Sequence, residues 1–293
     1  MPELNTVLAK ITPLNLMAQQ AAKTHFNQLI KPVGSLAKLE DMVCLYAGAS
    51  GISDPLTISY PRRAILLWRE EATEPKLTPL TVLAKSCKCI ICSEQVHVDS
   101  ALTQEAQITA ALLKGMELTK TQISTHNLQM LGLGAIGRFA LPAGWTYMQT
   151  WEAERILNTI GSLSLAAQVG SILAAAALRV PIMLDGLAAA LAACIATKMN
   201  ATVLAYCIAT HATTELGQEQ LLETLHLSPV LRLNIRQGQG EGCALAFTLF
   251  DAGIKAYTEM ETFAQAGVHA EVEAFAQTKT SQEQSEHEKH LFN

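Results

Sequence analysis

The 293 residues suffice for one large domain, or for a large and a small one, and 49% of them are apolar, so a sizeable core is expected. Only 16% are charged, the net charge is -5, and basic residues come in nothing longer than pairs such as Arg62-Arg63, which argues against nucleic acid as a partner. Aromatics at 5% argue against a base-stacking platform.

In chain order, apolar residues at helical spacing predict a helix over Leu4–Lys31, broken by Pro32-Val33-Gly34. Ser35 is then positioned to cap a helix over Leu36–Ala49. Gly51–Tyr60 reads as a loop, Ala64–Trp68 as a short buried strand, Glu70–Thr78 as irregular, Cys87–Ser93 as a second strand and Ala101–Thr121 as a helix. Leu131–Trp145 is dense in Gly and Pro and reads as a loop. Helices follow over about Thr150–Leu178. Ile156–Leu178 carries no charge, yet Asn158, Gly161, Ser162, Ser164, Gln168, Gly170 and Ser171 make it a buried helix pair and not a membrane span. Val180–Leu184 reads as a strand before a helix over Leu187–Thr197, and Thr202–Ile208 as a strand before a helix over Thr214–Leu225. A long helix runs to about Ala266, and Thr278–Lys289 is a polar tail.

Short continuous apolar strands alternating with helices predict an α/β fold, a Rossmann-like parallel sheet flanked by helices. The expected division is a small helical domain from 1–60 and 250–293, and an α/β domain over 61–249. Polar residues fall after strand ends, where open α/β sheets bind ligands. The Ala-rich helices Ser164–Leu178 and Leu187–Thr197 have close-packing character and suggest a dimer.

Seven cysteines, with no basic stretch and apolar core over Met1–Lys10, fit a reduced, cytoplasmic protein. Cys87, Cys89 and Cys92, with His97, resemble a metal ligand set. Strand alternation would instead send Cys87 and Cys89 to one face and Cys92 to the other, so no metal site is expected.

The densest chemical signal is Ile235–Gly242, I-R-Q-G-Q-G-E-G, opening into the apolar run Cys243–Phe250. Gly238, Gly240 and Gly242 leave backbone amides uncovered before a helix, a pattern that cradles phosphate. Arg236 adds a fork-shaped cation. Glu241 is the carboxylate of the loop. A Gly-rich helix entry with a capping Glu explains the same residues. His211 reads as a ligand-side group or a satisfied core histidine, and Asp185 as a cap for the helix at Leu187.

Five segments, in order, resemble the nicotinate-nucleotide–dimethylbenzimidazole phosphoribosyltransferase family. They are Lys31–Glu40, Leu184-Asp185-Gly186, His211–Gly217 (with Glu215), Leu233–Ala246, and Glu259–Phe263 followed by Ala266-Gly267-Val268. The resemblance implies transfer of phosphoribose from nicotinate mononucleotide to an aromatic acceptor, a benzimidazole N–H or a phenolic O–H, building the α-ribotide of a cobamide lower ligand. No cofactor is implied. A pyridinium leaves without acid help, whereas the acceptor must lose a proton to a carboxylate base.

The departures from the family pattern concern that chemistry. The family's base aligns with Gln239, and two further carboxylates with Leu133 and Ser164. Its asparagine aligns with Arg138, beside Gly137, where an arginine can bind phosphate or fill the pocket. Arg69-Glu70-Glu71-Ala72 replaces a D-H-G-V segment. The chain thus resembles the degenerate member of a two-subunit branch acting on phenolic acceptors, supporting a paralogous catalytic subunit. The alternatives are a self-sufficient enzyme, dimeric with itself, in which Glu241 is a shifted base, and a non-enzymatic binder on the same fold.

Overall fold

The computed structural model describes residues 1–70, 78–97, 99–137 and 139–267. The chain divides into two compact units. One comprises Met1–Leu14 and Pro61–Leu249, the other Asn15–Tyr60 and the chain from Phe250 onward.

In the first unit, α1 (Pro2–Lys10) precedes the sheet. α2 (Leu16–Gln28) and α3 (Lys38–Ser50) belong to the second unit and are described below. The sheet unit continues with β1 (Arg63–Arg69), α4 (Pro79–Ser86), β2 (Ile90–Gln95), α5 (Gln104–His126) and β3 (Met130–Ile136). Then come α6 (Trp145–Met148), α7 (Ala153–Ile160), α8 (Leu163–Ala177), β4 (Ile182–Leu184) and α9 (Gly186–Met199). A 3-10 turn over Ala201–Tyr206, β5 (Cys207–Ala209), α10 (Gln218–Thr224) and α11 (Glu241–Glu259) complete the described elements.

The strands form one five-stranded sheet in the order β2-β1-β3-β4-β5, every pairing parallel. The fold is the expected parallel α/β sheet flanked by helices. In this order the connections reverse direction between β1 and β3, and open α/β sheets bind ligands beyond the carboxyl ends of their strands.

Several elements differ from the sequence reading. Leu131–Trp145 is no loop in its first half. Met130–Ile136 is the central strand, buried throughout except at its end. Its glycines reflect crowding: a Cβ on Gly132 would stand 2.9 Å from the Cys243 side chain, and one on Gly134 2.9 Å from the Gly238 carbonyl. The predicted strand at Cys87 starts only at Ile90, because α4 occupies Pro79–Ser86. Thr78 caps α4 in a reciprocal box with Thr81. Only the last part of Thr202–Ile208 is strand. The predicted helix over Leu4–Lys31 is two helices. Asn15 caps the second by accepting from the Ala18 amide at 3.0 Å.

α8 and α9 are Ala-rich because both are surrounded: Ser164–Ala176 and Gly186–Ala196 are buried within the chain itself. Their close packing is therefore internal and gives no dimer surface. α8 crosses α5 at two glycines, where a Cβ on Gly170 would stand 2.1 Å from the Leu112 carbonyl oxygen and one on Gly115 2.1 Å from that of Ala167. Ile156–Leu178 splits at Gly161, whose φ of +71° ends α7. No helix among the described residues is long and apolar enough to cross a membrane.

In the second unit, α2 and α3 pack together with the later turns of α11. Phe26 lies 4.9 Å from Tyr257, and Tyr46 meets Phe250 edge-on at 5.4 Å between ring centres. Ser35 does not cap α3. Glu40, fully buried, accepts from the Leu36 amide at 3.1 Å and from the ammonium groups of Lys31 and Lys23 at 2.8 and 3.1 Å. Burial pushes the Glu40 carboxyl up, but the lysine hydrogen bonds outweigh that and hold it below its ordinary value. The motif Lys31–Glu40 is thus tied together by its own first and last side chains.

Candidate active site

The carboxyl edge of the sheet is built from strand-end residues and the Gly-rich loop. Gly238 lies over this edge: its carbonyl accepts from the Ala135 amide at 3.2 Å, and a Cβ on it would stand 2.4 Å from the Gly186 Cα. Gly240, with φ of +103°, sits against Ile65 of β1 and Leu80 of α4. Gly238 and Gly242 are needed for close contact, and Gly240 also for its left-handed backbone.

Asp185 follows β4 and is fully buried. It is the N-cap residue of α9, yet its side chain makes no bond to that helix. Its Oδ2 instead accepts from the amides of Gly240 at 2.6 Å and Gly242 at 3.1 Å, the entry to α11. Its Oδ1 lies 2.8 Å from His211 Nδ1 and 3.4 Å from the Thr210 hydroxyl. The cap expected for α9 is thus a cap for α11. The place of Asp185 at α9 is taken by Glu215, whose Oε2 accepts from the Leu187 amide at 3.0 Å and from Thr213 Oγ1 at 3.1 Å. α8 is capped in the same manner by Glu70, from beyond β1, which accepts from the Ser164 amide and the Ser162 hydroxyl at 2.9 and 2.8 Å.

Three helix N-termini at this edge therefore hold carboxylates of the protein. Each satisfies amides that would otherwise draw an anion. The amides of Gly240 and Gly242, expected from the sequence to cradle phosphate, both bind Asp185 Oδ2 here. Arg236 is exposed and Gln239 half-buried in the loop. Gly137 lies just past β3 with φ of +144°. Arg138 lies outside the described residues.

Among the described residues, two side-chain atoms at this edge are buried without a hydrogen-bond partner: His211 Nε2 and Glu241 Oε2. His211 Nδ1 faces Asp185 Oδ1, and Nε2 is the ring nitrogen left without a partner. Glu241 opens α11, where its Oε1 accepts from Gln237 Nε2 at 3.0 Å. Burial pushes the Glu241 carboxyl above its ordinary value, and the nearby Asp185 charge pushes the same way. Leu133 is buried in β3.

The structure thus gathers Asp185, His211, Glu215, Gly238, Gly240, Glu241 and Gly242 at one edge. Thr210, Gln218 and Gln237 belong with them and were not singled out in sequence. Gln218 Nε2 donates to the His211 carbonyl at 3.0 Å and fixes that turn. A polar residue ending the buried run before His211 was the available signal for Thr210. Cys87 ends α4, Cys92 lies in β2 with its sulfur against Gln122, and no group of three metal-binding side chains occurs among the described residues.

The chain is an α/β protein with a parallel sheet whose Gly loop and buried carboxyl groups meet at the carboxyl edge. A family model described as phosphoribosyltransferase matches residues 138–268. The nicotinate-nucleotide–dimethylbenzimidazole phosphoribosyltransferase of Ruminiclostridium cellulolyticum is 41% identical over 88% of this chain and 96% of its own length. That of Chlorobium chlorochromatii is 27% identical over 92% and 99%. The chain belongs to this family. The crystal structure of CobT from Thermus thermophilus, 20% identical, superposes with a TM-score of 0.72 over 86% of this chain and 99% of its own, a likeness of fold.

Proposed function

We propose that this chain transfers phosphoribose from nicotinate mononucleotide to an aromatic acceptor, and that Glu241 is its base. The observation that carries the reading is the free Glu241 Oε2, buried and held in a site that raises its proton affinity. The bond from the ribose anomeric carbon to the pyridinium nitrogen breaks, and its electron pair leaves with nicotinate. The acceptor nitrogen or oxygen bonds to that carbon, and its proton passes to Oε2. A carboxylate with raised proton affinity is a stronger base than one on the surface, and such a base is worth about 10²–10⁴ in rate. Asp185 positions it by holding the start of α11. The raised affinity also favours the protonated, inactive form at low pH, so the rate rises with pH.

A second reading has specific support. Gln239, Leu133 and Ser164 are not carboxylates, and Leu133 is core. On that reading the chain assists a paralogous subunit. The purified chain alone, given nicotinate mononucleotide and a benzimidazole or phenol, separates the two by nicotinate release. Turnover supports the self-sufficient enzyme. Silence, with turnover restored by a related subunit, supports the assisting role.

A further inference from the structure

Between α4 and β2 the chain makes a tight turn, Cys87-Lys88-Cys89, that the transfer chemistry does not use. Lys88 has φ of +51°, and the Cys89 amide donates back to the Ala84 carbonyl at 3.2 Å. This folds the two sulfurs together, 3.3 Å apart. Cys87 is buried, whereas Cys89 is half-exposed beside the exposed Lys88 and Ile90. Arg63, itself nearly buried, donates to the Cys87 carbonyl at 3.0 Å, which sets a guanidinium next to the pair. The hydrogen bond from Cys89 stabilises the Cys87 thiolate. Burial opposes this and Arg63 assists, leaving the Cys87 thiol lowered to about 7. Cys44, Cys194 and Cys207 are buried apart and pushed up to about 11, 12 and 12 by loss of solvent.

We propose that Cys87 and Cys89 are a thiol–disulfide exchange site that accepts small-molecule disulfides and closes into an intrachain disulfide. The contact keeps the charge on Cys87 and the proton on Cys89, whose thiol the Cys87 hydrogen bond and burial push far above its ordinary value. The accessible Cys89 sulfur passes its proton to the adjacent Cys87 thiolate as it attacks one sulfur of the small disulfide, whose S–S bond breaks and releases one thiolate. Cys87 then gives that proton to the released thiolate and attacks the Cys89 sulfur, forming the Cys87–Cys89 bond and releasing the second thiolate. The two protein thiols lose two electrons and two protons. The small disulfide gains both as two thiols.

The test uses the full chain, folded, in mixtures of reduced and oxidised glutathione, with free thiols then alkylated. Trypsin cuts after Lys88, so a Cys87–Cys89 disulfide holds two peptides together until it is reduced. We expect that linked pair in the oxidising mixtures. Cys87→Ser keeps the accessible sulfur and loses the resolving one. It accumulates one bound glutathione at Cys89, at a level roughly tenfold or more above the wild type, because a tethered thiol acts at millimolar effective concentration or higher. Cys89→Ser removes the accessible sulfur and suppresses exchange. The proposal is overturned if both cysteines are alkylated in the most oxidising mixture. It is equally overturned if wild type and Cys87→Ser hold the same amount of glutathione at Cys89.

Discussion

The α5–α8 crossing and the carboxyl edge of the sheet are both crowded at glycines, yet they do different things with the space. At the crossing, Gly115 and Gly170 let one helix backbone rest on the other, and the neighbours are backbone atoms. At the edge, Gly238 and Gly242 let backbone approach backbone and carboxylate, and a Cβ on Gly242 would stand 2.5 Å from Asp185 Oδ1 and 2.2 Å from His211 Nδ1. A glycine states only that something comes close. What comes close decides whether the place is packing or chemistry.

The sharpest way to break the edge is Asp185→Ala. It leaves two buried amides and the His211 ring without their acceptor, and the loss expected is about 3 kcal/mol or more. A urea or thermal midpoint unchanged from the wild type would show that the edge is not organised around Asp185. The matching change at the crossing is Gly170→Ala. Its methyl meets a backbone carbonyl that cannot rotate away, and the expected loss is about 2 kcal/mol, read in the same midpoints with no separate effect on turnover per folded molecule. Glu215→Ala is smaller, about 1 kcal/mol, because it removes one half-exposed cap from α9.

Smallest is the pH dependence carried by Glu241. Its folded-state affinity for a proton is raised above the unfolded value near 4.5, so it favours the folded state most when protonated. That contribution is present below about pH 4.5 and is lost as pH rises through the folded-state value. Glu241→Gln removes the dependence. Relative to the wild type, the variant gains stability as pH rises across that window and then levels off. A difference between the two proteins that stays flat from acid to neutral pH would show that burial does not perturb this carboxyl.

Much of the sheet was legible. Ala64–Trp68 and Val180–Leu184 are apolar runs too short for helices, and each marks its strand to within two residues. β3 was hidden because its glycines serve close approach in a strand, while the same letters in a one-dimensional reading signal turns. α4 was missed although Thr78-Pro79 is a helix-start signal. The segment Ile235–Gly242 stood out in the sequence, but its partner did not. The carboxylate that binds Gly240 and Gly242 comes from 55 and 57 residues earlier, across the sheet. The exchange of caps, Asp185 to α11 and Glu215 to α9, is a tertiary choice that local propensity does not encode. The proximity of Cys87 and Cys89 had a similar fate: strand alternation placed them on one face, and the real cause is the turn at Lys88.

The central claim is that the buried Glu241 carboxyl takes the acceptor's proton. Its most direct test is the rate of nicotinate release from nicotinate mononucleotide by the pure chain, wild type against Glu241→Gln, at saturating acceptor and neutral pH. The wild type is expected to turn over, and kcat to fall by about 10²–10⁴ in the variant, with KM for the nucleotide little changed. Equal rates in the two proteins, or a wild-type chain that releases no nicotinate by itself, would contradict it.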